Sequence, residues 1–128
     1  MSSIPADLRY TETHEWVRLE ADGTVTIGLS DHAQQSFDTM LLVDVREALN
    51  KTVEAGDPVG FVESVRTATK IYAPIGGEVI AVNGEMVDSP ELINEEPYKA
   101  WILKLKPSNR AELDDLLDAA GYKEAIGV

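Results

Sequence analysis

The chain contains no cysteine. That excludes a disulfide framework, a thiolate-ligated zinc or iron–sulfur centre and a thiol nucleophile. Basic residues are scarce: 11 lysines and arginines stand against 23 aspartates and glutamates, a formal net charge of −12. Acidic residues run along the whole length without a basic cluster, so nucleic acid and anionic membrane would be repelled and a basic protein surface is the better match. No apolar run approaches membrane-spanning length, and Met1 to Leu8 lacks the charged and apolar regions of a secretory leader. A soluble, cytoplasmic and monomeric protein is expected. Nucleophile-elbow, phosphate-loop and dinucleotide fingerprints are missing too, and Gly76-Gly77 alone is only a turn signal. Nothing here points to an enzyme.

What is present is 128 residues with 44% apolar side chains, enough for one domain over residues 1–128 with one core. The pattern is one of short strands. Glu15 to Leu19 alternates as a half-buried strand, Asp22-Gly23 is a hairpin turn signal, and Thr24 to Leu29 returns. Ser30 predicts the N-cap of a short helix from Asp31 to about Ser36, and Met40 to Val45 reads as a buried strand. Glu78 to Val82 and Trp101 to Lys106 are further strands, the first weakly similar to Val59–Val65. Ser89-Pro90 opens a single helical turn. Asn109 with Glu112 resembles a capping box, and Leu113, Leu116, Leu117 and Ala120 fall at helical spacing before Gly121, predicting an amphipathic C-terminal helix. His14 and His32 lie near Glu12, Glu15 and Asp31 but lack any metal-ligand spacing, so structural roles are expected. Trp16 and Trp101 read as packing residues.

The chain is organised around one hairpin. Val59 to Val65 and Thr69 to Tyr72 read as two strands joined by a polar turn at Arg66-Thr67-Ala68, which places the Arg66 side chain at the tip. Glu63-Ser64-Val65-Arg66-x-Ala-Thr followed by Ile71-Tyr72-Ala73-Pro74 resembles the lipoyl-attachment hairpin of the glycine cleavage system H-protein family. Further stretches of similarity follow in the family's order: His14-Glu15-Trp16, His32-Ala33-Gln34, Val53-x-Ala-Gly-Asp57, Ser89-Pro90-Glu91-Leu92-Ile93-Asn94 and Gly121-Tyr122.

The resemblance implies a mainly β barrel-sandwich hybrid of the lipoyl/biotinyl-carrier type. It also implies a non-catalytic carrier that shuttles an aminomethyl group on a lipoyl arm between the P, T and L proteins, after attachment by a lipoate-transferring enzyme. A long tether on a rigid hairpin raises the effective concentration of the arm at each partner. Arg66, however, stands where the family carries its lipoyl lysine, and a guanidinium that stays protonated offers no neutral amine for amide formation. Lipoate is therefore expected to be absent from position 66. Lys70 stands where the family has an acidic residue and is a remote substitute acceptor; as a strand residue it projects from the side of the hairpin. The glycine of the family's turn after the first helix is replaced if that turn aligns at Asp38-Thr39, and Arg46 to Asn50 replaces a glycine-bearing turn, with Asn50 able to take the left-handed conformation. Arg66 is thus either a single change that silences a working carrier, or the mark of a divergent binding or regulatory member; the other altered turns favour the second.

Overall fold

The computed structural model describes residues 3–128. Its strands are β1 (Arg9–Tyr10), β2 (Glu15–Leu19), β3 (Val25–Leu29), β4 (Met40–Asp44), β5 (Thr52–Val53), β6 (Pro58–Ser64), β7 (Ala68–Tyr72), β8 (Gly77–Val82) and β9 (Leu103–Pro107). The helices are α1 (Asp31–Phe37), α2 (Glu85–Asp88), α3 (Leu92–Glu95) and α4 (Ala119–Ile126), with short 3-10 segments at Arg46–Ala48 and Arg110–Asp115. Six strands form one antiparallel sheet in the order β1-β2-β3-β9-β8-β5, and three form a second in the order β4-β6-β7. No helix among the described residues is long and apolar enough to cross a membrane.

This corrects the expected barrel-sandwich hybrid. Both sheets are open and the architecture is mixed α/β. Groups outside the sheet meet two of the edge strands: Tyr10 of β1 exchanges backbone bonds with Leu117, and the Tyr72 N–H of β7 donates to the Glu15 carboxylate. The two similar strands, β6 and β8, lie in different sheets.

Local signals set most of the turns. Gly23 takes φ 88° in the β2–β3 hairpin, where the Thr24 N–H donates to Asp22 Oδ1 at 3.0 Å and Leu19 pairs with Val25. Ser30 Oγ accepts the Ala33 N–H at 3.1 Å, capping α1. Asn50 takes φ 69°, the left-handed conformation its place in the turn required.

The C-terminal segment departs from expectation. Asn109 caps the following turn through the Ala111 N–H, but Glu112 does not complete a capping box. Its carboxylate accepts the Gly76 N–H at 3.0 Å instead. The chain then runs as a 3-10 turn, is drawn extended at Leu117 by pairing with Tyr10, and restarts as α4 under Asp118, whose Oδ1 accepts the Gly121 N–H. Gly121 lies inside α4, and Gly127, at φ 82°, ends it.

Two apolar clusters result. The main one lies between the sheets and includes Ile27, Val43, Val62, Ile71, Val79 and Leu105. The second gathers Leu8, Tyr10, Trp16 and Tyr122, with the rings of Tyr10 and Tyr122 stacked at 4.6 Å. Trp16 is fully buried, Trp101 only partly so. β2 lies between the clusters, with Val17 in the main one and Trp16 in the second. It is therefore buried on both faces over Glu15 to Val17, not on one as the alternation suggested.

Gly28 sits opposite Trp16 in the β2–β3 register, and a Cβ there would come within 2.5 Å of the indole ring. The indole N–H is anchored on the Pro97 carbonyl at 2.9 Å, so the ring cannot retreat without losing that bond. Gly28→Ala is expected to destabilise the fold by about 1–3 kcal/mol, as overpacking does. Urea denaturation followed by tryptophan fluorescence measures this; an unchanged midpoint would refute the packing account.

Candidate functional site

The β6–β7 hairpin ends in a tight turn. Ser64 and Thr67 close it, with the Ser64 N–H donating to the Thr67 carbonyl at 2.8 Å. Ser64 Oγ accepts the N–H groups of Arg66 and Thr67, both at 3.2 Å, as an oxygen-bearing side chain does at the first position of a turn. The turn thus centres on Val65 and Arg66, and Ala68 belongs to β7, one residue from where the sequence placed it. Glu63 is exposed and pairs with Ala68 at the last rung of the ladder. Val65 is 58% exposed, and two-thirds of the Arg66 side chain lies in solvent.

The tip does not stand free. The Val65 N–H donates to the Thr39 carbonyl at 3.0 Å, and Arg66 Nε lies 3.5 Å from Asp38 Oδ2. Asn94 of α3 brackets that segment. Its Oδ1 accepts the Met40 N–H at 2.8 Å, while its Nδ2 donates to the Asp38 carbonyl at 2.7 Å and to Gln34 Oε1 at 3.1 Å. Neither the bracketing role of Asn94 nor the pairing of Asp38 with Arg66 has a local sequence signal. The partners are separated by tens of residues, and only the fold joins them.

Lys70 is exposed on β7, opposite Phe61. It lines both a groove of about 410 Å³ that includes Asp44, Lys51 and Phe61, and a cleft of about 240 Å³ that includes His14, Phe37 and Tyr72. The hairpin therefore brings Glu63, Ser64, Val65 and Arg66 together at its end and leaves Lys70 on its flank.

Beside the hairpin lies a carboxylate that the sequence reading assigned to an ordinary strand. Glu15 is 1% exposed and accepts hydrogen bonds from the Thr11 and Thr13 hydroxyls and, at 3.3 Å, from the Tyr72 N–H. Burial raises its pKa, and the three donors oppose but do not cancel that shift. His14 is tied into the fold, its Nδ1 2.8 Å from the Tyr122 hydroxyl and its ring 5.0 Å from that of His32. Burial, followed by the neighbouring His32, lowers the pKa of His14 and favours the neutral ring.

The family model described as glycine cleavage H-protein matches residues 8–127. The chain belongs to that family. It is 64% identical over 127 residues to glycine cleavage system H protein 2 of Pseudomonas putida, covering 99% of both chains. It is 53% identical over 125 residues to the glycine cleavage system H protein of Paraburkholderia xenovorans, covering 98% of both. The crystal structure of the H protein from Mycobacterium marinum superposes with a TM-score of 0.84 at 32% identity, covering 98% of this chain and 100% of that one. H proteins are non-catalytic carriers that shuttle an aminomethyl group on a lipoyl arm among the glycine cleavage proteins, and lipoate is the family's typical cofactor. This chain shares the carrier architecture and is not an enzyme.

The Glu15 shift has a measurable consequence. Because its folded pKa lies above the unfolded one, its proton-linked stabilisation is complete below the unfolded value and is lost as pH rises through the folded value. Glu15→Gln removes that titration. Stability plotted against pH, from denaturation midpoints, is expected to fall less steeply for the variant across the weakly acidic range. Parallel curves would show that Glu15 does not titrate abnormally.

Proposed function

We propose that this H-protein-family chain carries no lipoyl group at residue 66. It acts instead as an acidic docking module, engaging the P-, T- and L-type proteins or the lipoate-transferring enzyme through the surface around the β6–β7 tip. The observation that carries this reading is Arg66 at the tip, its guanidinium directed to Asp38 at 3.5 Å. Lipoate is held as an amide of a lysine amine. The tip side chains Ser64, Val65, Arg66 and Thr67 include no amine, and an arginine that remains protonated does not acylate under the conditions that modify lysine. The tip therefore does not fit the group, and no transfer step is assigned to it.

Lys70 has the right functional group in the wrong place. It points from the flank of β7, opposite Phe61, rather than from the end of the hairpin. A transferring enzyme that reads a protruding turn would present its acyl donor to residue 66.

Intact-mass and peptide analysis after incubation with a lipoate ligase, ATP and lipoate tests this reading. The chain is expected to stay unmodified and Arg66→Lys to gain one lipoyl mass at residue 66. Lipoylation of the unaltered chain at Lys70, abolished by Lys70→Arg, would make it a carrier with a displaced arm and overturn the proposal.

Docking is tested separately. Adding the chain to a glycine cleavage assay containing a lipoylated H protein is expected to slow turnover by competition, and to do so less as salt screens the net charge of −12. Unchanged turnover at low salt and excess chain would exclude the docking role and favour a scaffold with another use.

A further inference from the structure

We propose that Asp38 and Arg66 form a single clamp on the hairpin tip. Asp38 is then a positioning residue that slows acylation of an amine placed at position 66, so that position 66 decides whether the tip can accept a lipoyl group and position 38 how fast. The inference rests on the reading of residue 66 given above and extends it to a second residue.

Asp38 follows α1 with φ 63° and ψ −146°, close to a backbone region essentially reserved for glycine. A residue with a Cβ persists there only when the surroundings over-determine it, and here they do. The Asp38 N–H donates to the Gln34 carbonyl at 3.0 Å, and its own carbonyl accepts from Asn94 Nδ2 at 2.7 Å. With the backbone so fixed, the carboxylate is aimed at the tip, 3.5 Å from Arg66 Nε. Next to it the Thr39 carbonyl accepts the Val65 N–H. Loop and tip are thus joined once through the backbone and once through opposite charges.

A lysine placed at 66 would inherit this neighbour. A carboxylate within ion-pair reach favours the ammonium over the neutral amine and draws the side chain towards the loop. Acylation needs the opposite: the amine lone pair attacks the acyl carbon and the new N–C amide bond forms. The bond from that carbon to the leaving group breaks, and one proton passes from the amine to solvent.

The experiment compares Arg66→Lys alone with Arg66→Lys combined with Asp38→Gly or with Asp38→Asn. The rate of labelling of the introduced amine by an N-hydroxysuccinimide ester of acetate is followed by peptide mapping, with N-hydroxysuccinimide as leaving group. A parallel series uses the lipoate ligase, with adenylate leaving. Both double variants are expected to react about two- to fivefold faster than the single variant, the range open to an exposed ion pair. The gap should close at high salt, which a purely structural role for Asp38 would not produce. Equal rates at low salt would overturn the clamp, as would acceleration by Asp38→Gly without acceleration by Asp38→Asn, since charge would then play no part. The two readings fail separately. Absence of ligase modification in all variants, with the expected chemical-labelling gap intact, would exclude recognition of the tip by the lipoate-transferring enzyme and leave the clamp.

Discussion

The carboxamide of Asn94 holds the segment on which the hairpin tip rests. It accepts the Met40 N–H and donates to the Asp38 carbonyl, spanning both sides of Thr39, whose carbonyl in turn receives Val65. The tip of a two-stranded hairpin is the part of a sheet least restrained by its ladder. Here it is fastened to a loop that is itself bonded to a helix outside the hairpin. Side chains at the tip are therefore presented from a supported base, which is what a surface read by several partners requires.

The same economy of polar contacts appears on β2. Glu15 and Val17 face one way and Trp16 the other, and all three are buried, so the strand has no solvent face over this stretch. A buried carboxylate is tolerated because two threonine hydroxyls and a β7 amide donate to it. The bond to Tyr72 also ties β2 to the edge of the smaller sheet at a point where no strand pairing exists. The Glu15 side chain thus joins the two open sheets at a point where no ladder does.

Charge sets the terms on which such a surface meets others. The described ion pairs of the chain are exposed or partly exposed, so each contributes little to stability. Their value lies in local geometry, while the excess of acidic groups gives the chain a net negative long-range field. An arginine keeps the positive charge of a free lysine, whereas a lysine acylated by lipoate is a neutral amide, so the two side chains differ in charge as well as in chemistry.

Sequence alone determined the features that depend on a few consecutive residues: the Asp22-Gly23 turn, the Ser30 cap, the left-handed Asn50, and a hairpin with Arg66 at its end. Each is decided by the conformational preference or hydrogen-bonding reach of a side chain within its own turn. The ordered similarity along the chain also made the family legible. Tertiary structure decided whatever involves competition between distant groups. Glu112 could close its own capping box or accept from Gly76, and the contact across 36 residues prevailed, while pairing of Leu117 with Tyr10 precedes the final helix at Ala119–Ile126. Whether the sheets closed, which face of β2 was buried, and that Asp38 would meet Arg66 were settled in the same way. Their partners are brought within hydrogen-bond or ion-pair distance only after the chain has folded, and no periodicity or local propensity encodes that meeting.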